Sequence, residues 1–406
     1  MLTISPIADT PEAALERVLP SAPYLRRLHE TGTRGHWRDA LQAVRDIPAD
    51  LPEAEAMTVM RKAKAQLHLS LAAEDLSGIL PVMSVTRALS EFAEACLEAA
   101  LRVTLARRGV DGAGIFAVAL GKMGAYELNY SSDIDICVFY EPGVFMAGDY
   151  EAGETAQRVA RDIVRIMQEL TGDGYVFRTD LRLRPDPSST PLAVSTRMAD
   201  LYYESVGQNW ERMVWIKGRP TAGDRESAAR FLKILSPFVW RRNLDYWAIG
   251  DIQAIKRMIN SKVGRADFET VSPDVKLGPG GIREIEFFAQ TQQLILGGRQ
   301  PELRDNSTLG ALAALTKAGV VEPDTADELN TAYLALRNLE HRVQMRRDEQ
   351  THIVPAGEDD RRDVALMSGY DDLAACSRMR IARWRIIRSA ILSSRVWMMI
   401  RAQSKP

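Results

Sequence analysis

The sequence predicts a predominantly helical α+β protein in which a small α/β core lies between a helical leader and a C-terminal helical bundle. Three observations predict it. From about Pro11 to Arg108 apolar residues recur at helical spacing, as at Met60, Ala63, Leu67 and Leu71. Two short apolar runs, Ile115 to Leu120 and Ile134 to Tyr140, carry the β-branched and aromatic residues of buried strands. From Arg225 onward helical patterns return, separated by short loops with Gly, Pro or Asp.

Taken in order, the leader is broken by turn signals such as Ile47-Pro48-Ala49. The character changes at Gly112, where the first strand begins, and the second strand follows a glycine-bearing turn. A helical pattern runs from Glu151 to Leu170. Tyr175 to Arg184 then alternates as a third strand, with Phe177 and Thr179 on one face and Arg178, Asp180, Arg182 and Arg184 on the other. A turn from Pro185 to Pro191 leads to a short fourth strand, Leu192-Ala193-Val194, and the sheet region is expected to end near Gly218. Helices are predicted over Ala228 to Trp240, Tyr246 to Val263, Gly281 to Leu296, Thr308 to Ala318, Asp327 to Arg347 and Asp372 to Arg401. At 406 residues more than one core is expected. The divisions are a helical region over 1–111, an α/β core over 112–224 and a helical bundle over 225–406.

Composition narrows the function classes. A net charge of -2 with 26% charged residues gives no global basic field, which argues against nucleic acid bound mainly by charge. Cys96, Cys137 and Cys376 are distant and odd in number, so neither a disulfide framework nor a zinc site is indicated. No basic segment with a following apolar core opens the chain, and no apolar run approaches the ~20 residues of a membrane span. The reading is a cytoplasmic protein with neither a membrane nor a nucleic-acid partner.

The chemistry concentrates in Gly121-Lys122-Met123-Gly124 and Ser131-Ser132-Asp133-Ile134-Asp135. Carboxylates spaced i, i+2 on a strand point the same way, so Asp133 and Asp135 can share one site, with Asp180 joining if the third strand packs beside them. Such an oxygen-rich set suits Mg²⁺. An isolated Asp-x-Asp would read better as a turn with Ser131 and Ser132. Here a separated acid, a glycine turn and a basic strand face favour the catalytic reading for Asp133, Asp135 and Asp180. The turn at Gly121 and Gly124 leaves backbone N–H groups for phosphate oxygens. Lys122, Ser131 and Ser132 are grouped with it, and Arg182 and Arg184 are candidate phosphate clamps. A second segment, Glu204 to Arg219, leaves Lys217 and Arg219 open as substrate contacts while Trp210 and Trp215 are read as core. A third, Lys276 to Phe287, opens a helix with Gly280 and Gly281, and Lys276, Arg283, Glu284 and Glu286 with it form a possible second anion site. The histidines are dispersed and none is assigned to catalysis.

In order, Gly121 to Gly124 with Glu127-Leu128-Asn129 and Ser131 to Asp135, Asp180 to Pro185, Trp210-Glu211-Arg212 and Lys276 to Phe287 resemble the glutamine synthetase adenylyltransferase/adenylyl-removing enzymes. The similarity runs from about Gly112 to Asp348. It implies a DNA polymerase β-like nucleotidyltransferase core, one of the two that the family carries in tandem. Lys276 to Glu286 looks like the removing half, and the helical leader fits an N-terminal position. The implied activity is Mg²⁺-dependent phosphorolysis, with two ions and Mn²⁺ able to substitute, on adenylylated glutamine synthetase. Orthophosphate is consumed and ADP released; PII signal protein and glutamine are the implied regulators. Ala125 stands where a second glycine is common, and Ser188-Ser189-Thr190 where one is expected, which affects loop geometry alone. Two alternatives remain: ATP-dependent adenylylation at the same site, or a helical regulator-binding module with a degenerate transferase core.

Overall fold

The structure is a computed structural model that describes residues 6–146, 151–242 and 272–370. The expected helices Tyr246 to Val263 and Asp372 to Arg401, with Cys376, lie outside the described residues. The leader forms α1 (Pro11–Val18), α2 (Pro23–Glu30), α3 (Trp37–Arg45), α4 (Glu53–Leu76) and α5 (Val82–Arg108). Pro stands in the first turn of α1 and α2, where its missing N–H costs nothing, and Gly109 closes α5 at φ 62°.

Five strands follow: β1 (Ile115–Ala119), β2 (Ile134–Tyr140), β3 (Thr179–Asp180), β4 (Ala193–Ser195) and β5 (Arg219–Gly223). The sheet runs β3-β2-β1-β5, with β4 also on β2. β2 pairs antiparallel with β1 and parallel with both β3 and β4, which share its other edge at opposite ends. Between the strands lie the single turn α6 (Gly121–Gly124), then α7 (Ala152–Gln168), α8 (Thr196–Ser205) and α9 (Asn209–Ile216).

Both faces of the sheet are covered, which explains why β1 and β2 read as continuous apolar runs. Ile115, Ala117, Ala119, Ile134, Ile136 and Val138 face one core, shared with the leader helices and α7. Phe116, Val118, Cys137 and Phe139 face another, built with α8, α9 and α10 (Arg225–Val239). The period of two puts Asp135 on this second face. A third core joins α11 (Ile282–Leu296), α12 (Thr308–Lys317), α13 (Pro323–Arg347) and α14 (Glu358–Met367).

Two expectations are corrected. The third strand is only Thr179–Asp180, because Arg182 turns back to bond Asp180 and the chain enters a turn at once. The sheet also gains β5, Arg219–Gly223, beyond its expected end near Gly218. No described helix is long and apolar enough to cross a membrane.

Candidate functional site

Parallel pairing of β2 and β3 places Asp135 directly beside Asp180, in register. Asp133 immediately precedes β2. The three acids meet at the N-terminal end of the central strand, and each feels a different environment. Asp133 accepts from Arg178 Nε at 2.7 Å and from Gln350 Nε2 at 2.5 Å. Asp180 accepts from the backbone N–H of Arg182 at 2.8 Å and from its guanidinium at 2.5 and 3.0 Å, which holds its carboxyl below the usual range. Among the described residues no cation is bonded to Asp135. Burial, then the charges of Asp180 and Asp133, push it up to about 6, against the opposing pull of Lys276 and Lys122.

The α6 turn is shaped around that carboxylate. Gly121 has φ 52°, and a Cβ built there would collide with Asp135. At Gly124 a Cβ would strike the Lys217 carbonyl. The N–H groups of Gly124, Ala125, Tyr126 and Glu127 return to carbonyls between Leu120 and Met123. Those of Gly121, Lys122 and Met123 have no partner among the described residues. Lys122 is half-withdrawn and bonds Glu340 at 2.8 Å, with burial pulling it down to about 8.

Other expected contacts are committed elsewhere. Ser131 is buried, its N–H on Gln344 at 3.0 Å and its hydroxyl on Asp348 at 2.5 Å. Ser132 closes its own turn by bonding with Asn129. Arg184 donates to the carbonyls of Leu181, Pro187 and Thr190, organising the 185–191 loop. Lys217 is buried between Glu127 at 2.9 Å and Glu286 at 2.6 Å. Burial opposes its charge, but those two carboxylates raise its pKa. Arg219 bonds Glu94 at 2.7 Å and lies 3.8 Å above the Tyr126 ring. Trp215 is core as expected, but Trp210, in the first turn of α9, is 41% exposed.

At the expected anion site, Lys276 to Glu286, the backbone N–H groups already have acceptors within the segment or just before it. The N–H groups of Ile282, Arg283 and Glu284 donate to Val275, Lys276 and Gly281, so the helix end is closed internally. Gly280, at φ 67°, donates to Glu284 at 3.1 Å, and Gly281 sits against the Lys276 carbonyl, too close for any Cβ. Glu286 is turned inward to Lys217. Lys276 alone of this segment reaches the acidic cluster, through its charge on Asp135.

Sequence reasoning missed Arg178, Tyr175, Gln350 and Asp348, which support Asp133. Arg178 also bonds Tyr175 at 2.9 Å and the Ser131 carbonyl, and Tyr175 bonds Asp348 at 3.2 Å. Only the basic strand alternation around Arg178 signalled any of this. Among the described residues, no three His, Cys, Asp or Glu side chains converge as they stand into a metal-holding group. Arg178 and Arg182 instead occupy the lone pairs of Asp133 and Asp180. Carboxylate oxygens are nonetheless the donors a hard divalent cation takes, and Asp135, beside Asp180 in register, has no cation bonded to it among the described residues.

Comparison with known proteins follows the same residues. A family model described as glutamate-ammonia ligase adenylyltransferase matches residues 15–234. A second, described as GlnD PII-uridylyltransferase, matches residues 253–388. Bifunctional glutamine synthetase adenylyltransferase/adenylyl-removing enzymes are similar over most of the chain. That of Rhizobium meliloti is 47% identical over 93% of this chain and 39% of its own length. That of Caulobacter vibrioides is 48% identical over 90% of this chain and 40% of its own length. The chain thus spans about two-fifths of the length of these curated relatives.

Two variants separate the acid site from its scaffold. Because the folded pKa of Asp135 is raised from 3.8 to about 6, the native state must ionise a reluctant carboxyl as pH rises through that window. Asp135→Asn should therefore stabilise the protein at pH 7.5 by on the order of 2 kcal/mol, and the gain should vanish by pH 4. Thermal unfolding of both proteins across that range measures it. Lys217→Met should instead destabilise by roughly 3–5 kcal/mol, since two buried carboxylates lose their cation; chemical denaturation gives the value.

Proposed function

Because the chain belongs to the glutamate-ammonia ligase adenylyltransferase family, we propose that it transfers nucleotidyl groups and removes AMP from the adenylylated tyrosine of glutamine synthetase. The core would be of the DNA polymerase β-like type. The observation that carries the chemistry is the placement of Asp133, Asp135 and Asp180 at one strand end, with Asp135 half-buried, in register with Asp180 and its carboxyl pushed up. The direction rests on the resemblance of Lys276 to Glu286 to the removing half, which is N-terminal in the family.

The reaction balances as phosphorolysis. An orthophosphate oxygen attacks the phosphorus of tyrosyl-O-AMP, the bond to the tyrosyl oxygen breaks, and ADP and tyrosine result. Asp133, Asp135 and Asp180 would hold Mg²⁺, two ions with Mn²⁺ able to substitute, which when bound neutralises the phosphodiester and stabilises the phenolate leaving group. Orthophosphate is already anionic near neutral pH, so the nucleophile needs little proton removal. Arg182 is placed to receive it. Its side chain is 83% exposed and, among the described residues, bonded to Asp180 alone, so the guanidinium can turn to a phosphate oxygen. Arg184, Lys217 and Arg219 are held by internal partners and would act by position. The N–H groups of Gly121, Lys122 and Met123 border the same carboxylates and can donate to phosphate oxygens. PII signal protein and glutamine would act as regulators in the longer protein.

Asp133→Asn should cut phosphate-dependent ADP formation from adenylylated glutamine synthetase by about 100-fold or more, with the circular dichroism spectrum unchanged. Normal release by that variant would sink the assignment. Incubating the wild-type chain with ATP and unmodified synthetase tests the opposite direction, since adenylylation would yield pyrophosphate instead.

A further inference from the structure

Away from the three carboxylates, the described residues enclose a cavity of about 710 Å³ between α2, the turn after it, α4 and the loop from Leu170 to Tyr175. That volume suits a small molecule of up to nucleotide size. Its walls carry Arg27, Arg34, Lys62 and Lys64, with Asp173 and Asp348 as the only lining carboxylates. Arg61 also borders it, but its guanidinium is spent on the carbonyls of Met57, Ile166, Glu169 and Gly174, which fasten the end of α7 to α4.

Lys64 is placed differently. Its side chain is 6% exposed and lines the cavity. Among the described residues no hydrogen bond reaches its ammonium. Its neighbours are Asp348 Oδ2 at 3.8 Å and the Tyr175 ring, whose centroid is 3.8 Å away. Burial pulls this amine down to about 8 against the pull of Asp348. A buried ammonium with one distant carboxylate and an aromatic face has unused donors, and they open into a cavity ringed by further cations.

We propose that this cavity binds a small multiply charged anion, bearing phosphate or carboxylate groups, with Lys64 at its base and Arg27, Arg34 and Lys62 around its mouth. Arg27, Arg34 and Lys62 are exposed and supply charge to an incoming anion, whereas the buried Lys64 supplies a fixed donor. The cavity borrows Tyr175 and Asp348 from the network that holds Arg178 on Asp133. It uses none of Asp133, Asp135 or Asp180, so it is separate from the site of AMP transfer.

Calorimetric titration of the whole chain with inorganic pyrophosphate, and separately with citrate, tests the proposal at low ionic strength. Saturable binding of at least one is expected. Pyrophosphate alone marks a phosphate ligand, citrate alone a polycarboxylate, and both mark recognition by charge. Arg34→Ala with Lys62→Ala should weaken that binding by about 10-fold. Lys64→Met should abolish it, while Asp180→Asn at the acid site should leave it unchanged. Absence of binding by either anion overturns the proposal, as does undiminished binding in the Arg34→Ala, Lys62→Ala protein. That double variant alters exposed residues only, so it decides the matter even if Lys64→Met fails to fold.

Discussion

The site depends on one unfavourable arrangement: a half-buried carboxylate, Asp135, held next to a second carboxylate in register on a parallel strand. Two like charges at adjacent β positions repel, and burial strengthens that repulsion. Among the described residues no cation bonds Asp135 to relieve it. Arg178 and Arg182 neutralise the flanking Asp133 and Asp180, while Lys122 and Lys276 act on Asp135 only through space. Such a conflict, maintained at one end of a central strand, is the arrangement on which the proposed chemistry draws.

Buried ion pairs bind the turn after β1 to the C-terminal helices. Lys122 bonds Glu340 on α13, and Lys217 joins Glu127 to Glu286 on α11. Arg337 donates to the Glu127 carbonyl and to Asn129. Removing any one partner would leave a buried charge uncompensated, so these contacts define where the turn can sit. Its position in turn sets the distance between Gly121 and Asp135. The helical bundle is therefore part of the site's geometry although it contributes none of the three acids.

Much of this was legible in the sequence, and the exceptions have physical causes. β1 and β2 were visible because both sheet faces are covered, and Asp133, Asp135 and Asp180 stood out as acids in apolar or basic strand contexts. β5 was not visible. It begins with Arg219-Pro220 and ends in glycine, and its pairing with β1 shifts register next to Pro220, so it shows neither alternation nor an apolar run. Lys217 and Arg219 were left open as substrate contacts because their partners Glu127, Glu286 and Glu94 are about 70 to 125 residues away and invisible to local pattern. Gln350 lies 217 residues from Asp133, and no local pattern announces that meeting. The glycine-rich start of α11 resembled an anion site because free helix N–H groups are the usual consequence of such a start. Here the preceding turn satisfies them first.

Mn²⁺ binding followed by electron paramagnetic resonance measures directly whether the three acids form a divalent-cation site. The prediction is that the wild-type chain takes up Mn²⁺ and that Asp135→Asn weakens its uptake by at least about 10-fold. Equal uptake by the two proteins would contradict it.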